Sequence, residues 1–264
     1  MKGGKEQEMM KQVKSPFCEP VLGLLAVVMV VLLTACTSAP APSPTPTPTP
    51  LPAPEIYNPT IDPADFVAEI DNAYFPLKPG TTFIYQGDTE EGTERNEMVV
   101  TKDTKAVLSV TNIEVWDRVW LEDELIEETY AWYAQDKEGN VWYFGEDSKE
   151  YEDGVVVSTT GSWEAGVDGA KPGIIMWANP QVGNSYRQEY YKGEAEDMAE
   201  VLSLNEAVSV SYGSFEDCLK TREWTPLEPD IVAHKYYAPG IGFLMEIVVG
   251  GGSEQVELID IRTD

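Results

Sequence analysis

"VLSVTNIEVWDRVWL", residues 107–121, decides the fold class. Val115, Asp117, Val119 and Leu121 fall in one phase, and Trp116, Arg118 and Trp120 in the other. One face is mostly aliphatic; the opposite face is aromatic and charged. That is a period of two, not the roughly 3.6 of a helix, so the stretch predicts a strand with one face on a core. Its β-branched and aromatic residues suit a pleated, half-buried surface. We read residues 107–121 as one strand.

The neighbouring sequence repeats the pattern. "TTFIYQG" (81–87), "NEMVVT" (96–101) and "ETYAWYAQ" (128–135) carry the same strand signal. In "WYAQDKEGNVWYFGE", Asp136-Lys137-Glu138-Gly139-Asn140 separates two aromatic runs and predicts a hairpin. "SKEYEDGVVVST" predicts another, turning near Asp153-Gly154. After residue 186 come "YRQEYYKG", "EDMAEVLSL", "AVSVSYG", "DCLKTREW", "DIVAHKYYA", "IGFLMEIVV" and "EQVELIDI", all read as strands. Between these groups, residues 161–186 contain Gly161, Gly166, Gly169, Gly173, Gly183, Pro172 and Pro180, and read as a long irregular excursion. "DPADFVAEI" (62–70) predicts a short helix, with Asp62 as N-cap and Pro63 at its first position. About a dozen short strands with no alternating helices predict an all-β fold. A sheet of that size curls or splits. The expectation is a large curved antiparallel sheet or incomplete barrel with one or two short helices; a β-sandwich is the alternative.

The N-terminal region predicts where the domain works. Lys2, Lys5, Lys11 and Lys14 precede the apolar run Val21–Leu33, which is shorter than the about 20 residues of a membrane span. This is the layout of a secretory signal peptide, assigned to residues 1–35. Leu33-Thr34-Ala35-Cys36 matches the bacterial lipobox, so Cys36 is the expected lipidation site, carrying the acyl chains of a membrane anchor. Residues 36–56 follow as a tether, where proline alternates with small polar residues; such a segment favours extended polyproline II. Residues 57–264 are the expected extracytoplasmic β domain, held on the cell membrane by lipid.

Charge narrows the partners. The chain carries −28, with 46 acidic against 18 basic residues. Such a surface repels nucleic acid and anionic lipid, and neither is an expected partner. Of three cysteines, Cys18 falls in the leader and Cys36 takes the lipid. Only Cys218 remains, so the domain has no internal disulfide to form.

Candidate sites are few. His234, the only histidine, shares a strand face with Val232 and Tyr236. One histidine excludes a two-histidine metal motif and leaves a serine triad only if His234 is its base. "GSWEAGVDGAKPG" puts Trp163 and Glu164 in a glycine-rich loop, with Asp168 following. An aromatic ring beside a carboxylate suits a sugar or a cation. Glu164 with Glu189 is a conceivable hydrolase pair, since glycosidases need two opposed carboxylates. The acidic turns 145–154 and 194–200 offer oxygen ligands for calcium, without the spacing of an EF-hand loop.

"FPLKPGTTFIYQG", "YAQDKEGNVWYFGE", "GSWEAGVDGAKPGI", "YRQEYYKGEAEDMAEV" and "KYYAPGIG" together resemble an uncharacterised family of bacterial secreted proteins and lipoproteins. The resemblance covers nearly all of residues 57–264 and transfers no catalytic motif. It implies an architecture similar to half-barrel envelope lipoproteins that hold apolar ligands. The expected function is therefore a cell-envelope lipoprotein that binds a small apolar or carbohydrate ligand, or acts as a scaffold, without catalysis or cofactor. Trp163, Glu164, Asp168, Glu189, His234 and Tyr236 are its candidate ligand-binding residues. A carbohydrate-active hydrolase using paired carboxylates and a calcium-binding structural protein are the alternatives.

Overall fold

The computed structural model describes residues 57–89 and 91–264. The signal peptide, Cys36 and the tether lie outside the described residues. A 3₁₀ turn, Pro63–Asp65, leads into β1 (Phe66–Val67), followed by β2 (Thr81–Asp88), β3 (Thr93–Val107), β4 (Val110–Leu121), β5 (Glu124–Asp136) and β6 (Val141–Glu152). Short strands come next: β7 (Val155–Ser158), β8 (Trp163–Glu164), β9 (Lys171–Met176), β10 (Ser185–Arg187) and β11 (Glu189–Tyr190). The chain ends in β12 (Met198–Val210), β13 (Gly213–Trp224), β14 (Val232–Ala238), β15 (Gly242–Gly250) and β16 (Gln255–Thr263). Among the described residues no helix is long and apolar enough to cross a membrane.

All sixteen strands join one antiparallel sheet, as the alternation predicts. Its path runs β10-β12-β13-β14-β15-β16-β2-β3-β4-β5-β6-β9-β11. The last strand, β16, returns beside β2, pairing Thr263 with Thr81 and Leu258 with Tyr85. The two ends of the path, β10 and β11, are consecutive in the chain, with Gln188 alone between them. One extended segment thus lies along both free edges: Tyr186 pairs with Ala199 of β12, and Glu189 pairs with Pro172 of β9. The curved sheet is nearly closed into a barrel.

Three local expectations are corrected. The stretch 107–121 is not one strand. It turns at Leu108–Ser109, both at positive φ (49° and 65°), with Val107 opposite Val110. A two-residue turn needs positive φ at both central positions and usually advertises itself with Asn or Gly; here neither occurs. The helix expected at 62–70 stops after one turn. Asp62 does cap it, accepting from Ala64 N at 2.9 Å. Phe66 then pairs with Asp136 and packs edge-on against Phe144 at 5.5 Å, so tertiary contact overrides the helical signal. Finally, the excursion 161–186 contains β9, which pairs with β6 through Ile174–Trp142. Gly173 is required there: a Cβ would lie 2.2 Å from the Gln188 carbonyl, so the closing segment rests directly on the β9 backbone.

Burial follows the two phases. In β4, Val115, Asp117 and Val119 point into the core; Trp116, Arg118 and Trp120 are half-buried outside. The outer face covers itself. The Arg118 guanidinium lies 3.7 Å over the Trp116 ring, which stacks on Tyr130 at 6.0 Å. Inside, the aromatic hairpin β5–β6 is filled as well. Tyr133 stacks on Tyr143 at 4.7 Å, Trp163 meets Tyr143 edge-on at 5.3 Å, and Phe75 caps Tyr133 at 5.5 Å. Each such pair contributes about 1 kcal/mol beyond its buried area.

Candidate functional site

The core phase of several strands also carries polar residues. Glu94 and Asn96 precede Met98 and Val100 on β3. Asp117 stands between two valines on β4, and Glu127 and Thr129 open the inner row of β5. Glu146 faces in from β6, Glu189 from β11, Glu223 from β13 and Lys235 from β14. All of these are buried, so the interior is a ring of carboxyl groups around an apolar base.

Most of these carboxyls have partners of their own. Asn96 donates to Asp117, and Tyr143 donates to Glu146. Thr129 donates to Glu127 at 3.0 Å. Trp163 Nε1 donates to Glu189 Oε2 at 2.9 Å. Glu223 is the best satisfied: it accepts from Thr221 (2.7 Å) and Tyr237 (3.0 Å) and faces Lys235 Nζ at 3.1 Å. Lys235 also lies 3.5 Å from Glu246. Glu94 Oε1 and Asn96 Oδ1 are among the buried oxygens with no hydrogen-bond partner within the described residues.

Burial disfavours a charged carboxylate, and neighbouring carboxylates disfavour it further. Burial, then Glu246, Glu254, Glu127 and Asp117, push the Glu94 carboxyl up to about 8. Burial and Glu127 hold Asp117 well above the carboxylate range, against the hydrogen bond from Asn96. Burial, Asp197 and Glu146 do the same to Glu189, against the Trp163 hydrogen bond. Burial disfavours the Lys235 ammonium, but Glu223 and Glu246 more than offset that and raise its pKa. At about pH 7 the Glu94 carboxyl is therefore mostly neutral, Asp117 and Glu189 are shifted the same way, and the Lys235 ammonium pairs with Glu223 and Glu246.

Near the closing segment a cavity of about 20 Å³ lies among Tyr143, Gln188, Glu189, Asp197, Glu223 and Lys235. That is room for about one water molecule. A sugar ring or an acyl chain does not fit.

The six candidate residues are spread over the wall. Trp163 and Glu189 meet inside. Glu164, the next residue along β8, points the other way and pairs with Lys105 at 2.8 Å. Glu164 and Glu189 are therefore not opposed across one cleft. Asp168 is exposed in a turn at φ 49°. His234 and Tyr236 lie on the outside of β14, while Ala233, Lys235 and Tyr237 point inward. Burial and the nearby Lys220 and Arg222 lower the pKa of His234. Glu146 and Glu150 of the acidic segment 145–154 turn inward, whereas Asp147 pairs with Lys149 at 3.0 Å. Among the described residues, no three Asp, Glu, His or Cys side chains converge to hold a metal ion.

Glu94, Asp117, Glu127, Glu223 and Lys235 escaped the sequence reading, and Glu146 entered it only as an oxygen ligand in the acidic turn 145–154. Their signal was present: each is a charged residue in the apolar phase of an alternating strand, as in Val115-Asp117-Val119 and Ala233-Lys235-Tyr237.

No family model matches the chain, and no curated protein matches it. Among solved structures it is similar to a protein from Bacteroides fragilis described as exported and of YmcC-like fold. The identity is 16%, over 73% of this chain and 100% of that one, with a TM-score of 0.43. It is also similar to a protein from Parabacteroides distasonis described as a lipoprotein, at 14% identity over 72% of this chain and 99% of that one, with a TM-score of 0.42.

Proposed function

We propose that this chain is a lipid-anchored protein of the cell envelope whose β domain acts as a non-enzymatic scaffold and meets partners through the outside of its wall. One observation carries the reading: among the described residues the inner face is packed with the protein's own side chains, and the cavity beside the closing segment measures only about 20 Å³. Pockets for small ligands are concave, roomy and largely pre-formed; this cavity is too small to be one. The hydrolase alternative loses its support for the same reason, since Glu189 is enclosed and Glu164 faces away. The lipobox ending at Cys36 and the proline-rich tether support attachment to the extracytoplasmic face.

Native mass spectrometry of the full-length protein extracted in mild detergent tests this reading. The expected mass is that of the chain from Cys36 plus its acyl groups, with nothing else retained. A small molecule that co-purifies and is released on unfolding would overturn the scaffold reading. Cys36→Ala is expected to release the protein from membranes or leave it unprocessed. Unchanged membrane association at unchanged mature mass would contradict the anchor.

A further inference from the structure

The barrel is held shut by its weakest junction. β3 and β4 pair over more than ten residues, but β10 offers three to β12 and β11 only two to β9. At the Glu189–Pro172 pair the ladder is poorer still, because Pro172 brings no N–H. Gln188, which crosses from one edge to the other, is anchored by its backbone, donating to the Asp197 carbonyl at 2.8 Å. Its buried side chain lines the cavity.

Into this thin seam the chain places Glu189, 5% exposed. We propose that the seam is a proton-operated latch: neutral Glu189 keeps residues 185–190 seated across both edges, and loss of its proton to solvent releases the segment from β9. The groups around Glu189 make its ionised form costly. Asp197 approaches from the segment before β12, and Glu146 from β6; both oppose a second negative charge. Tyr143 on β6 is committed to Glu146, and Tyr237 on β14 to Glu223. Tyr133 on β5 is itself held neutral, by burial and then by Glu146. The one ammonium lining the cavity, Lys235, already faces Glu223 and Glu246. Only two neutral donors favour its charge, Trp163 Nε1 and the Asp197 backbone N–H. A charge on Glu189 is most readily relieved by moving outward, and the seam is the element with least to lose by moving with it.

Amide hydrogen exchange of the full-length protein in detergent, read as protection relative to the intrinsic rate at each pH, tests the latch. Protection of residues 185–190 is expected to fall about ten-fold or more from the acid to the alkaline end of the domain's stable pH range, while the β3–β4 hairpin stays protected. Glu189→Gln keeps the acceptor for Trp163 and cannot ionise, so the seam should hold its protection at both ends of that range. If that variant does not fold, Asp197→Asn removes the nearest repelling charge and should blunt the fall. Constant protection of the wild-type seam would overturn the latch. So would an equal fall in the variants, or a parallel fall in β3–β4, which would mark global rather than local opening.

Discussion

At the scale of single residues, Lys235 stabilises the interior by neutralising groups rather than by strength of its own. A buried ion pair is often no better than apolar packing, but breaking one leaves an uncompensated charge. Lys235→Met is therefore expected to destabilise the domain by about 3–5 kcal/mol near neutral pH, in urea unfolding. A variant as stable as wild type at neutral pH would contradict the part given to the pairs of Lys235 with Glu223 and Glu246. His234 behaves differently. The structure puts it on the outer face, paired across the strands with Arg222 and Ile247, with a lowered pKa that keeps it neutral. The residue that stood out by its rarity is outside the polar interior; the residues within it stand out only by their phase.

At the scale of elements, alternation made the strands legible, and conventional turn residues made the turns legible. Gly139 (φ 91°) and Gly154 (φ 74°) close the two hairpins that the sequence predicts. Leu108–Ser109 was not legible, because neither residue carries the usual sign of a left-handed turn. Glu122–Asp123 adopts the same conformation between β4 and β5 (φ 49° and 70°). These positions store strain, since a non-glycine residue at positive φ costs about 1–2 kcal/mol. Ser109→Gly is accordingly expected to stabilise the domain, less what glycine adds to the freedom of the unfolded chain, for a net of about 0.5–1 kcal/mol. A rise in melting temperature checks it; a fall would show that the serine side chain holds the turn. The seam was illegible for another reason. β10 and β11 are too short for periodicity to register, and only the closure of the sheet gives them meaning. The pairing of Trp163 with Glu189, 26 residues apart, follows from that closure and not from any local pattern.

At the scale of the whole molecule, the account rests on buried carboxyl groups held above their ordinary pKa, and this fixes how stability depends on pH. Glu94 has an ordinary value of 4.5 and sits at about 8 in the folded domain. Between those values the folded state binds more protons than the unfolded state, so stability falls as pH rises and levels off above about 8. Asp117 and Glu189 are shifted the same way and add to the fall. Lys235 acts only at the alkaline end: its stabilisation is present below its ordinary value of 10.5 and is lost as pH rises past its raised folded value. Repulsion across a surface this acidic gives a similar trend, but about 1 M salt shortens its range to roughly 3 Å and leaves buried groups largely unscreened. The most direct measurement is therefore equilibrium urea unfolding in about 1 M salt from about pH 5 to pH 9, for wild type and Glu94→Gln. The account predicts that wild type loses on the order of a few kcal/mol across this range and that Glu94→Gln loses distinctly less. A wild-type stability that stays level or rises toward alkaline pH would contradict it, as would a Glu94→Gln variant with an unchanged slope.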